Sequence, residues 1–102
     1  MLIQVKVAGV DIDDGNSKKI TKHGLTVDQV CAFFDSEFFI LSDPRHSLRE
    51  TRFLAFGVVE GVKILVVFTL RAKRGQLLFR PVSARMMHQK EWEVLNEKLK
   101  KS

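Results

Sequence analysis

The sequence predicts an α+β fold, a small antiparallel sheet with helices packed on it in the order β-α-α-β-β-β-β-α. Three observations lead there. Between Glu50 and Arg85 three apolar runs follow closely: Phe53-Leu54-Ala55-Phe56, Ile64-Leu65-Val66-Val67-Phe68 and Leu77-Leu78-Phe79. Each is β-branched or aromatic and of strand length, and the Gly-bearing breaks at Glu60-Gly61 and Lys73-Arg74-Gly75 suit tight connections. A three-stranded meander is the simplest assembly. Helix-period stripes flank it on both sides, which places helices against its faces.

The elements follow in order. Ile3, Val5 and Val7 alternate with Gln4 and Lys6 as a first strand, and Ala8-Gly9 loosens the chain after it. Asp11, Asp13 and Asp14 resemble the start of a calcium loop, but the downstream glycine and bidentate glutamate are missing, so no metal site is expected. An aspartate opening a short helix from about Asn16 to Lys22 is the simpler reading, since it complements the helix dipole. Gly24 suits the end of that helix. Thr26 and Gln29 then form a capping box, and the helix it opens sets Val27, Val30, Cys31 and Phe34 on one face before stopping near Asp35-Ser36. Phe38-Phe39-Ile40-Leu41 reads as a short strand, and Ser42-Asp43-Pro44 as a turn. After the meander, Pro81 lies in or at the edge of the last strand because it cannot donate to a ladder. A final helix covers about Met87 to Lys100, with Trp92, Leu95 and Leu99 inward and Lys90, Glu93, Glu97 and Lys100 outward.

At 102 residues the chain reads as one domain, 1–102, large enough for a modest core. No run approaches the roughly 20 apolar residues that cross a bilayer, and the N-terminus lacks the pattern of a signal peptide, so no membrane partner and a cytoplasmic location are expected. Cys31 is the only cysteine, which excludes an internal disulfide and a cysteine-based zinc site and suits a small buried apolar residue. The net charge of +5 is unevenly spread. Residues 1–51 hold six Lys/Arg against eight Asp/Glu, and residues 52–102 hold eleven against four. The second half therefore suits a polyanion or an acidic protein partner.

Particular residues add a resemblance. Lys22-His23-Gly24-Leu25-Thr26, then Asp43-Pro44-Arg45-His46, then Glu50-Thr51-Arg52-Phe53 stand in the order found in the BrnT toxin family. Val66-Val67-Phe68-Thr69-Leu70-Arg71 and Ser83-Ala84-Arg85, ahead of a helix containing Glu91, extend the likeness over roughly residues 12 to 95. The resemblance implies a RelE-like fold and a ribonuclease toxin of a bacterial type II toxin–antitoxin pair. It also implies a cognate antitoxin with a ribbon-helix-helix domain, bound in a hetero-oligomer that reaches operator DNA only through the antitoxin. The chain departs from the family where Ile12 replaces a frequent tryptophan, Lys19 a frequent asparagine, and Met86-Met87 a small or cationic residue followed by alanine. It also has no tyrosine.

RNA cleavage by transesterification needs a base for the ribose 2′-OH, an acid for the leaving 5′-oxygen and cations for the phosphorane, with no cofactor or metal. His23 and His46 suit proton transfer, because imidazoles ordinarily titrate near neutrality. Glu50 is a further candidate base. Arg71 and Arg85 are candidate catalytic cations, and Lys22, Arg45 and Arg52 candidate phosphate-binding groups. These cations are expected to converge on one side of the sheet around a single phosphodiester. Each residue also has a plainer role. His23 can bond helix-end carbonyls, His46 can sit in a surface loop, Glu50 and Arg52 can pair on a strand, and Arg71 can be solvated where a strand closes. Phe53, Phe56, Phe68 and Phe79 are core residues rather than base-stacking platforms. The alternative overall is a catalytically inactive subunit that keeps the fold and the antitoxin surface, or that binds nucleic acid without cutting it.

Overall fold

The computed structural model describes residues 7–41, 45–46 and 51–101, with the backbone alone for Arg45, His46 and Lys101. Among these residues three helices, α1 (Asp14–Thr21), α2 (Val27–Asp35) and α3 (Gln89–Lys101), accompany six strands. These are β1 (Gly9–Val10), β2 (Phe38–Ile40), β3 (Arg45–His46), β4 (Thr51–Val59), β5 (Val62–Lys73) and β6 (Gln76–Met86). The expected α+β order is present, with the two-residue β3 added beside β4.

The sheet runs β1-β6-β5-β4-β2. The three apolar runs are its antiparallel centre, β4-β5-β6. Both turns of this meander are two residues long, and Glu60-Gly61 and Arg74-Gly75 all have positive φ, the backbone that matches the twist of hairpin strands. β1 departs from expectation. It pairs in parallel with β6 at Gly9 and Val10, so the sheet is mixed, and Gly9 lies in the ladder rather than loosening it. Most of the expected strand at Ile3–Val7 lies outside the described residues. β5 and β6 run further than their apolar runs, and Arg71 lies within β5 rather than closing it.

Local signals explain the helices. Asp13 caps α1 and accepts from the backbone N–H groups of Gly15 and Asn16, while the Asn16 side chain answers the Asp13 N–H. Thr26 caps α2 in the expected box with Gln29. One face of the sheet carries the larger core, where Ile20 from α1 and Val30, Phe33 and Phe34 from α2 meet Ala55, Ile64, Val66, Phe68 and Ala84. Phe34, Phe38, Phe53 and Phe79 all place their rings within 6.4 Å of Phe68, confirming the core role of these phenylalanines. On the opposite face α3 lays Trp92, Leu95 and Leu99 against Phe56, Leu65 and Met87.

Pro81 is fully buried within β6, where an edge position was one expectation. It sits next to a register shift: Val67 pairs with Ser83 and Phe68 with Pro81, leaving Val82 without a partner. This bulge accommodates a residue that has no N–H to give the ladder.

Candidate functional site

Residues directly opposite in an antiparallel pair share a face. Phe56, Leu65 and Arg85 therefore form one cross-sheet row, and Leu54, Val67 and Ser83 the next. Both rows look toward α3, and all of their members except Phe56 line a cavity of about 430 Å³. Its polar walls come from His23 after α1, from Ser83 and Arg85 on β6, and from Glu91 and Lys98 on α3. Leu41, Leu54, Leu65 and Leu95 supply its apolar surface.

Arg85 is held in a fork. Its Nη1 donates to Glu91 Oε1 at 2.8 Å and its Nη2 to Oε2 at 2.6 Å. Both side chains are partly exposed, 42% and 32%. The Arg85 hydrogen bonds hold the Glu91 carboxyl below its ordinary range, and the Glu91 bonds raise the guanidinium further. Glu91 is thus an ionised acceptor that orients Arg85, and a weak proton acceptor in its own right.

A second ionic cluster lies toward the β5–β6 turn. Asp11, just beyond β1, is buried at 6% exposure and accepts from Lys73 Nζ at 2.9 Å and Arg80 Nη1 at 3.1 Å. Arg71 Nη1 stands 3.8 Å from the same carboxylate. Arg80 also donates to Asp13 at 2.9 and 3.2 Å. The bond from Lys73 is the main cause that lowers the Asp11 pKa, and Arg80 holds Asp13 at about 2. The clasp joins residues more than sixty positions apart and fixes the start of α1 to the last two strands.

The expected site residues divide accordingly. Arg85 and His23 line the cavity together, whereas Lys22 is exposed and not among its walls. Arg71 lies on the same sheet face as Arg85 but six residues along β5 from Leu65, the partner of Arg85, or about 20 Å. Arg71 turns toward Asp11 and is not among the walls of the cavity that Arg85 lines, so the two do not converge on one phosphodiester as expected. Arg52, two residues before Leu54, falls on the cavity's face by strand alternation and is half-buried. Arg45 pairs with Arg52, and His46 with Thr51, in backbone register. Glu50 lies outside the described residues.

Sequence reasoning missed Ser83, Glu91 and Lys98 as walls of the cavity. A signal was present: Glu91, Leu95 and Lys98 recur at i, i+4 and i+7, the spacing of one helix face. Cys31 is half-buried, and burial, then Asp28 and Asp35, push its thiol pKa up, which suits an inert side chain. Among the described residues no group of three or more His, Cys, Asp or Glu side chains is arranged to hold a metal ion. No helix among them is long and apolar enough to cross a membrane.

Compared with known families, residues 13–91 match the model described as ribonuclease toxin, BrnT, of type II toxin-antitoxin system. No curated protein matches the sequence.

Proposed function

The chain belongs to the BrnT family of ribonuclease toxins of type II toxin–antitoxin systems, and from that membership we propose that the cavity beneath α3 is where it cleaves RNA, by metal-independent transesterification. The observation that carries this reading is the Arg85 guanidinium, oriented by Glu91 on the wall of a cavity that also holds His23 and Lys98.

In the proposed reaction His23 takes the proton of a ribose 2′-OH, and the freed oxygen attacks the adjacent phosphorus. The bond from phosphorus to the 5′-oxygen breaks, leaving a 2′,3′-cyclic phosphate, and the 5′-oxygen departs as a hydroxyl with a proton from the His46 imidazolium. Arg85 and Lys98 stabilise the charge that builds on the phosphorane oxygens. Glu91 is a positioning residue that turns the Arg85 fork toward the cavity. Glu50 and His46 remain proposed partners in proton transfer, and Lys22, Arg45 and Arg52 proposed contacts to flanking phosphates. The proposal extends to a RelE-like fold and a cytoplasmic site of action. Its partner is an antitoxin with a ribbon-helix-helix domain, which binds the toxin in a hetero-oligomer and alone contacts operator DNA.

The test uses purified chain freed of antitoxin, single-stranded RNA and EDTA. Wild type should release fragments with cyclic phosphate ends, and Arg85→Ala should lower the rate at least 100-fold. Undiminished cleavage by Arg85→Ala removes the site. A binding subunit without catalysis is the second reading, favoured by the two Arg85 donors already engaged by Glu91. It requires RNA or antitoxin binding with no product at any enzyme concentration.

A further inference from the structure

The sheet face that floors the cavity continues past it. After the rows holding Arg85 and Ser83 come Thr69 with Arg80, then Arg71 with Leu78, then Lys73 with Gln76 at the hairpin end. Successive rows are about 7 Å apart, so cations recur along this face over roughly 25 Å from Arg85 to Lys73.

These cations differ in what they have left to give. Arg80 is 15% exposed and its contacts go to Asp11 and Asp13. Arg71 and Lys73 are 43% and 48% exposed. Arg71 stands beyond hydrogen-bond distance of Asp11, so that carboxylate leaves its donors open to an outside acceptor. Lys73 gives Asp11 one of the three protons of an ammonium group. Arg74 is exposed in the turn itself. The buried carboxylate thus faces the inner sides of Arg71 and Lys73 and leaves their outer sides to solvent. Arg71, Lys73 and Arg80 outnumber the two aspartates, and Arg74 adds a further positive charge.

We propose that Arg71, Lys73 and Arg74, at the end of the β5–β6 hairpin, form a second, non-catalytic site for the backbone of single-stranded RNA. This site rests on the RNA reading above and gives Arg71 a binding role. It takes phosphates away from the bond cut at Arg85. The strand between them covers about 20 Å, equivalent to some six nucleotides at ~3.4 Å of stacked rise and fewer when extended. A positively charged track beside the chemistry lets a small enzyme hold a long polyanion independently of base sequence.

The experiment measures binding of 2′-O-methyl oligoribonucleotides, which lack the attacking hydroxyl, in lengths from two to ten residues and over a range of salt. It compares wild type with Arg71→Gln/Lys73→Gln/Arg74→Asn; asparagine tolerates the positive φ of the turn. Wild-type affinity should rise with length to about six nucleotides. The variant should bind the dimer as wild type does, lose about tenfold or more on the decamer, and show a salt slope shallower by about 2, from ~0.7 per phosphate contact. Equal decamer affinity overturns the proposal. Equal decamer affinity with loss of antitoxin capture overturns it in favour of a protein contact. If wild type cuts no RNA yet the length-dependent affinity vanishes in the variant, the cleavage reading fails and this site stands. Should the triple variant not fold, Arg74→Asn alone must weaken the decamer about threefold, and no change overturns the proposal.

Discussion

Breaking the Arg85–Glu91 fork separates its structural from its chemical role. Hydrogen bonds between charged groups contribute about 1.5–3 kcal/mol when shielded, and fully exposed pairs about 0–1 kcal/mol. Here the side chains are 42% and 32% exposed, so solvent screens a large part of the gain, and a coupling of about 1 kcal/mol follows. Glu91→Gln keeps the shape and removes the charge. A double-mutant cycle with Arg85→Gln, read by urea unfolding at pH 7, should return that coupling, reduced by about half in 1 M NaCl. Glu91 has a folded pKa below its ordinary 4.5 because Arg85 bonds the carboxylate. Its contribution is therefore full above about pH 4.5 and disappears as pH falls through the lower folded value. In the RNA assay Glu91→Gln should slow turnover about tenfold with little change in KM and no change in the pH at which the rate rises, because the variant misplaces Arg85 without removing the base. Glu91→Asp should recover part of the loss. A coupling below about 0.3 kcal/mol refutes the energetic argument, and loss of the alkaline-rising limb in Glu91→Gln refutes the assignment of positioning over proton transfer.

Three other outcomes follow from the fold. Asp11 and Asp13 both have lowered folded pKa values, Asp13 to about 2, so the melting temperature should hold above pH 5 and fall as pH drops from about 4 toward 2, with Asp13→Asn flattening the fall. Thr26→Ala removes the acceptor for the Gln29 N–H and should cost about 1 kcal/mol in urea unfolding, whereas Thr26→Ser should be nearly neutral. Phe68, 1% exposed at the centre of the aromatic cluster, should cost about 3–5 kcal/mol when cut to alanine, enough to lower or abolish the thermal transition.

How legible these features were depended on how local their causes are. The α2 capping box spans four residues and was readable, as were the glycine-bearing turns of the meander. The helix stripe was readable in period but not in depth. Cys31 stands half-buried while Phe33, outside the expected stripe, is fully buried, because α2 meets the sheet centred on Val30, Phe33 and Phe34. The hairpin end of β5 and the second half of β6 lie beyond the apolar runs and carry Arg71, Lys73, Arg80 and Arg85, so their strand character comes from pairing between the two strands. Among the candidate site residues, Arg85 and His23 were named from the sequence and line one cavity. The fork of Arg85 with Glu91 required the exact entry of α3, and the Asp11 clasp required pairing across more than sixty residues, which no local pattern encodes.

Val82 decides a question of parity. Arg80 and Arg85 are five positions apart, an odd interval that would send their side chains through opposite sides of an unbroken strand. The unpaired Val82 resets the count, so the two halves of β6 present both arginines to one side. A one-residue deletion there would preserve charge and both flanking strands, yet would turn either the clasp or Arg85 away from its partners.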